Sequence, residues 1–282
     1  MDFIEPRSLG DALAALAAHD DARCIAGGAT LVAMMNADLL APGALVSLRH
    51  LRELRGIEER DGELRIGAMT RHAEIAADER LRGAWGVVRH AAGQIAHPAV
   101  RNMGTIGGSI CHADPNADFP TALTAAGARV EALGRDGPRT IAIDDFFRNY
   151  LETALAPGEF VTAIVLPRSP AGARGRHLKF ARVHGDYATI SVAAVVATNG
   201  GRCTHARVAV GSAGPRPVHV AAADAALTAE GLTAAAIARA GALLAQAADP
   251  VDDVRGSGAY RRRLIPRLVA RLLTDLRSTD GG

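Results

Sequence analysis

Apolar positions along the chain change period several times, and each change marks an element. Residues 9–19 carry apolar side chains at helical spacing behind Ser8, a residue type that caps helices by accepting a backbone N–H. Residues 22–26 form a short buried strand, and 31–40 return to helical spacing. Strands follow around Leu45-Val46-Ser47-Leu48 and Glu63-Leu64-Arg65-Ile66-Gly67. The pattern then predicts a helix capped by Thr70 with Glu74 nearby, a second over 85–95 and a third over about 119–126. Segments 128–133, 139–143 and 159–166 are strand-like, with Asp136-Gly137-Pro138 as the turn between the first two. Between 167 and 175 Pro, Gly, Ala and Ser accumulate as in a linker. Beyond it, 177–183, 189–198 and 203–211 are extended, the last two joined by a hairpin turn at Gly200-Gly201. Helices cover about 220–228, 233–247 and 259–276, the last interrupted at Pro266. This is an α+β pattern without internal repeats, with units expected at 1–170 and 176–282.

Composition narrows the picture. The 282 residues are enough for a sizeable core, yet aromatics make up only 4%, so Ala, Val and Leu must fill it. No charge-free apolar stretch of membrane-spanning length occurs, and Met1-Asp2-Phe3-Ile4-Glu5-Pro6 lacks the basic and apolar regions of a secretion signal, which predicts a cytoplasmic protein. Cys24, Cys111 and Cys203 form no C-x-x-C pair, and His90, His97 and His112 have no metal-ligand spacing, so no metal or iron–sulfur site is expected on this chain. Residues 1–170 hold 17 basic and 22 acidic side chains, against 15 and 8 in 171–282. That asymmetry is compatible with an acidic partner, but without interleaved aromatics it is a poor nucleic-acid signature; Arg261-Arg262-Arg263 reads as a solvated helix face.

Two glycine turns carry the candidate chemistry. In Gly104-Thr105-Ile106-Gly107-Gly108-Ser109, Gly107 and Gly108 are expected to take positive φ and bare their N–H groups to an anion such as pyrophosphate, with Thr105 and Ser109 as neutral donors at its edges. Asp118, ten residues beyond Gly108, is acceptor-only when ionised and suits a ribose diol. Gly27-Gly28-Ala29-Thr30 is a second glycine turn, at a strand end opening a helix, where free N–H groups favour phosphate. Lys179 is the single lysine among 31 arginines, either a compositional accident or a place that requires a compact point charge. Neither turn fits the G-x-G-x-x-G or P-loop spacing.

Together, Ala26-Gly27-Gly28-Ala29-Thr30-Leu31 and Arg101-Asn102-Met103-Gly104-Thr105-Ile106-Gly107-Gly108 resemble the FAD-binding medium subunit of molybdenum hydroxylases, the carbon monoxide dehydrogenase and xanthine dehydrogenase type. The resemblance extends through Ala113-Asp114-Pro115, Leu178-Lys179-Phe180-Ala181-Arg182, Gly185-Asp186-Tyr187-Ala188 and residues 255–260. It implies a vanillyl-alcohol-oxidase-type FAD-binding domain followed by a smaller domain of three antiparallel strands and a helix bundle. By position it places Ile25, Ala26, Gly27, Gly28, Ala29, Thr30 and Leu31, with Gly104, Thr105, Ile106, Gly107, Gly108 and Ser109, around the pyrophosphate and neighbouring groups of non-covalent FAD. It assigns Asp118 to an adenosine ribose hydroxyl, Lys179 to the polar edge of the flavin, and Ile95 and Tyr187 to its two faces. Ala29 and Ser109 depart from residues frequent in the family, leaving backbone contact at the first and a shorter donor at the second.

The resemblance implies an electron-transfer subunit with no catalytic side chain of its own. A large molybdenum–pterin subunit would oxidise substrate and a small subunit with two [2Fe–2S] clusters would relay electrons, the whole forming a dimer of heterotrimers. The external acceptor is a quinone or NAD, and the Tyr187 ring favours a non-nicotinamide one. Two other readings stay open: a self-contained flavin oxidase or reductase, with Cys111 or His112 near the loop where flavin is linked covalently in some relatives of that fold, and a non-redox nucleotide-binding assembly module.

Overall fold

The computed structural model describes residues 1–278. Three parallel strands come first: β1 (Asp2–Ile4), then after α1 (Leu9–Ala18) β2 (Arg23–Ile25), then after α2 (Leu31–Asn36) β3 (Ala44–Ser47), in spatial order β1-β3-β2. The Ser8 hydroxyl accepts the Asp11 N–H at 3.1 Å, which fixes the start of α1 as the sequence predicts.

A five-stranded antiparallel sheet follows. The hairpin β4 (Ile57–Arg60) and β5 (Glu63–Gly67) leads into a helical stretch of α3 (His72–Ala77), α4 (Gly86–Gln94), α5 (Pro98–Arg101), α6 (Ile106–His112) and α7 (Asp118–Ala126). The chain returns through β6 (Arg129–Gly134) and β7 (Gly137–Ala142), passes α8 (Ile143–Phe146) and the small hairpin β8 (Phe147–Asn149) and β9 (Glu152–Thr153), and ends with β10 (Phe160–Leu166). Spatial order is β4-β5-β10-β6-β7, so β10 is central, and its nearly unbroken apolar run is buried on both faces. Gly134 pairs with Gly137, which moves the predicted turn back to Arg135 and Asp136. Pro138 belongs to β7, an edge strand where a missing N–H is tolerated.

The third sheet runs β11 (Arg174–Phe180), β12 (Ile190–Asn199), β13 (Arg202–Gly211) and β14 (Val218–His219), adding a fourth, two-residue strand to the three expected. Gly200 and Gly201, at φ of 55° and 80°, make the two-residue turn between β12 and β13, because paired left-handed residues match the twist of a hairpin. Ala193, Val195 and Ala197 join the core around α4 and α7. Val192, Ala194 and Val196, on the opposite face of β12, pack under α9 (Ala221–Glu230), α10 (Ala234–Ala247) and α11 (Gly258–Ser278).

Four expectations are corrected. The N-cap of α3 is Arg71, whose N–H donates to Glu74 Oε2 at 2.6 Å, while the Thr70 hydroxyl donates to the Gly56 carbonyl. Gly107 and Gly108 lie inside α6 and neither has positive φ, so this segment is a helix start rather than a bare turn. Pro266 does not interrupt α11: the helix continues through it, with Pro266 against Gly241 of α10, where an added Cβ would sit 3.0 Å from Pro266 Cα. Arg261 is not solvated; it is buried, pairs with Asp253 and donates to the Ser212 carbonyl at 3.3 Å.

The glycines of two helices have opposite requirements. Gly241→Leu should lower the unfolding free energy by about 1–3 kcal/mol through overpacking against Pro266. Gly93→Ala in α4, where a Cβ meets nothing within 4 Å, should raise it by about 0.5–1 kcal/mol through helix propensity. Urea unfolding of both variants checks the two signs.

Candidate functional site

A cavity of about 840 Å³ opens between the first sheet, the α3 to α6 wall and the loop after β11. Its lining includes Ala26, Gly27, Gly28, Ala29, Thr30, Leu31, Ile95, Gly104, Thr105, Gly107, Gly108, Ser109, Asp118, Lys179 and Tyr187. Ile25 and Ile106 are not part of the wall: Ile25 belongs to β2, and Ile106 is fully buried in the core.

The two glycine turns touch. A Cβ on Gly27 would collide with the Met103 carbonyl, so only glycine lets the first turn press against the second. Gly28 supplies the positive φ, at 76°. In the second turn the glycines serve packing: a Cβ on Gly107 would lie 2.7 Å from that of Ala68, and one on Gly104 would clash with the His72 ring.

Backbone donors are distributed unevenly. Ile106 N–H donates to Thr70 O and Gly107 N–H to Ala68 O, while Gly108 N–H reaches Thr105 Oγ1 at 3.2 Å and Ser109 N–H the Thr105 carbonyl. The second turn therefore keeps its donors inside the protein, contrary to expectation, and presents chiefly the half-buried Ser109. Among the described residues, no protein acceptor takes the N–H groups of Gly28, Ala29 or Thr30, and the Thr30 side chain makes no cap bond. The first turn is the one with free donors for an anion.

Asp118 opens α7 and is buried, its Oδ2 2.8 Å from Lys179 Nζ; both side chains are 6% exposed. Lys179 also donates to the Gln94 carbonyl at the end of α4, at 2.7 Å. Burial pushes the Asp118 carboxyl up to about 6, against the opposing pull of Lys179. Asp118 Oδ1 is buried and bonded to nothing. The ribose acceptor and the flavin-edge cation, expected at separate places, thus meet at one point.

Directly after Gln94, Arg101 Nη1 donates to the Ile95 and Ala96 carbonyls, both at 2.9 Å, and holds the bend that presents Ile95. Gly185 packs on the Ala96 carbonyl at φ of 86°, a position no side chain could take. Tyr187 is 42% exposed, and the Arg255 guanidinium stands 5.2 Å from its ring centroid. Cys24 and Cys111 also line the cavity; burial pushes the Cys24 thiol up to about 12, whereas Cys111 is exposed. Arg101, Arg255, Gln94 and His72 were not singled out in the sequence. Arg101 and Arg255 stand within segments of the resemblance, but nothing in the sequence marked Gln94 or His72.

These residues fit a dinucleotide. The cleft combines free N–H donors at one turn, a buried carboxylate paired with a fixed ammonium, and an aliphatic and an aromatic side chain on its wall. Fold and cleft together define a two-part α+β flavoprotein unit. Comparison with known proteins makes the class specific. The family model for the FAD binding domain in molybdopterin dehydrogenase matches residues 1–169, and that for the CO dehydrogenase flavoprotein C-terminal domain matches 177–276. The alpha subunit of the 6-hydroxypseudooxynicotine dehydrogenase complex of Paenarthrobacter nicotinovorans is 35% identical, over 96% of this chain and 93% of that one. The carbon monoxide dehydrogenase medium chain of Afipia carboxidovorans is 34% identical, over 96% and 94%. A crystal structure of the cyanide-inactivated Cu,Mo-CO dehydrogenase superimposes with a TM-score of 0.95 at 33% identity, covering 99% of this chain and 98% of that one. The chain belongs to the FAD-binding medium subunits of the molybdenum hydroxylases, a family of oxidoreductases.

Lys179→Met should leave Asp118 buried without its cation and cost about 3–5 kcal/mol of stability, whereas removing both charges together should cost less. Burial also holds His72 down at about 4 and His177 at about 3. The unfolded chain therefore takes up protons at both histidines near pH 6.5, where the folded chain refuses them. Their contribution is present above about pH 6.5 and lost as pH falls toward about 4 and 3. Asp118 acts with the opposite sign between about 6 and 4, because its folded carboxyl protonates first. The net expectation is a lower urea midpoint at about pH 5 than at about pH 7, with a shallower loss in His72→Phe.

Proposed function

We propose that this chain is the electron-transfer flavoprotein subunit of a heteromeric molybdenum-containing dehydrogenase, carrying electrons from [2Fe–2S] clusters on a small partner subunit to an external acceptor. The observation that supports it most is the convergence of the first glycine turn, Asp118, Lys179 and Tyr187 on one cavity. Bound FAD supplies a redox centre that exchanges electrons singly or in pairs. The N–H groups of 28–30 hold the pyrophosphate, and Ser109 adds a hydroxyl from the facing turn. Asp118 and Lys179 act as one polar unit, the carboxylate accepting from a ligand hydroxyl or ring N–H and the ammonium donating to an oxygen. Ile95 and Tyr187 would pack against the flavin ring from the cavity wall. In this reading residues 1–170 form the FAD-binding unit and 176–282 the second unit.

The large partner holds the molybdenum–pterin cofactor and decides the substrate. The relatives' names span carbon monoxide, a nicotine derivative and quinoline, and nothing on this chain selects among them. The acceptor is a quinone or another non-nicotinamide oxidant: with FAD bound, the Tyr187 ring beside Arg255 would compete with a nicotinamide for one flavin face.

Purification of the native complex with metal and flavin analysis, followed by turnover with quinone and NAD on a substrate panel, tests the proposal. Substrate turnover by the isolated chain alone would sink it. Within the chain, Asp118→Ala should weaken FAD retention about tenfold or more, while Arg262→Ala, on the distant α11, should not change it. Equal retention in the two variants counts against the placement. Tyr187→Ala should raise the NAD-dependent rate relative to the quinone-dependent one, and an unchanged ratio removes the ring from acceptor choice.

A further inference from the structure

Three of the buried side-chain atoms without partners lie in one cluster: Asp118 Oδ1 and both ring nitrogens of His177. His177 alternates with Lys179 along β11, so its side chain faces the same way, toward α4 and α7, and it is completely buried. It is absent from the cavity wall, on which Asp118 and Lys179 both lie. Nε2 of His177 stands 3.6 Å from Asp118 Oδ1, just beyond hydrogen-bond length, while the other carboxylate oxygen is held by Lys179 at 2.8 Å. The His177 carbonyl is itself tied to α4, accepting from Gln94 Nε2 at 3.3 Å.

From this geometry we infer that His177 is a positioning residue behind the cleft: its neutral imidazole, protonated at Nε2, donates to Asp118 Oδ1 and fixes the carboxylate so that Oδ2 faces Lys179 and the ligand. The inference rests on the reading of Asp118 as a cofactor-holding residue. Its physical basis is the cost of an unsatisfied buried acceptor, which a shift of a few tenths of an ångström in either ring removes. The neutral state is the one burial enforces, since the ring is pushed down to about 3 with Lys179 and His90 adding to the effect. A protonated ring beside Lys179 would place two cations against one carboxylate. The titratable and charged groups that act on this point are Asp118 on α7, Lys179 on β11 and His90 on α4, with Tyr187 at the cleft mouth facing Asp118, Asp114 and Arg255; β12 contributes the hydroxyl of Ser191, which is engaged with Thr121. None of them replaces the donor that Oδ1 lacks.

The test uses the full chain stripped of flavin, titrated with FAD by fluorescence quenching, with carboxyl carbon NMR of labelled aspartate to follow Asp118. His177→Phe should weaken FAD binding about tenfold and move the Asp118 titration upward, while His177→Gln, which retains a neutral donor, should restore most of both. On an Asp118→Ala background, His177→Phe should have no further effect on FAD affinity. An unchanged Asp118 titration in His177→Phe overturns the positioning role, as does equal loss in the Phe and Gln variants. If Asp118 titrates higher in His177→Phe but Asp118→Ala binds FAD normally, the histidine holds the carboxylate as inferred and it is the ligand-binding reading of Asp118 that fails.

Discussion

One buried ion pair fixes where the cleft can be. Asp118 is the first residue of α7, in the half of the chain that supplies the glycine turns, and Lys179 lies on β11, past the Pro- and Gly-rich connection. Lys179 takes a second partner, the carbonyl of Gln94, so that α4, α7 and β11 meet at one ammonium. Two opposite charges at 6% exposure tolerate little displacement, because moving either leaves the other desolvated and unpaired. The only lysine of the chain occupies this point. A guanidinium is broader and would spread its donors over a plane, whereas an ammonium concentrates them at one atom.

The rest of the cleft follows from close backbone approaches. Gly27 against Met103 joins the two turns, Gly107 against Ala68 seats the second on the central sheet, and Gly185 against Ala96 brings the loop after β11 onto the bend before α5. Each contact needs the absence of a Cβ. The turns then divide their work: the second holds its own N–H groups and braces the first, which leaves its own uncommitted.

Much of the fold was legible in the sequence, for physical reasons. Long elements with strong periodicity, such as α1, β10, β12 and β13, appear within a residue or two of their expected places because their burial pattern and apolar pattern are the same fact. Shorter pieces were missed: β1, β4, the β8 and β9 hairpin and β14 are two to four residues long, too short to show a period. Pro266 misled because the local penalty for proline inside a helix, a missing N–H and a clash with the carbonyl four residues back, is outweighed by the burial of α11 against α10, where Pro266 packs on Gly241. The site was legible as a set of residue types but not as a geometry. Glycine pairs, Asp118 and Lys179 could be singled out, yet their mutual contact depends on which face of β11 meets α7, a tertiary fact. His177 was within reach of the sequence, two positions before Lys179 on a strand. Arg255 opened a quoted segment, but its contact with Tyr187, more than sixty residues earlier, was not legible.

β12 is a wall shared by two cores. Its alternate side chains belong to two different cores, one built with the nucleotide-side helices and one with the C-terminal helices. Neither core is closed without that strand, so the chain cannot be cut at its Pro- and Gly-rich connection into two soluble halves without baring an apolar sheet face on one piece and an uncovered helix pair on the other. Unfolding is accordingly expected to be a single cooperative event, and loss of the C-terminal helices reaches the cofactor cleft through the sheet they cover.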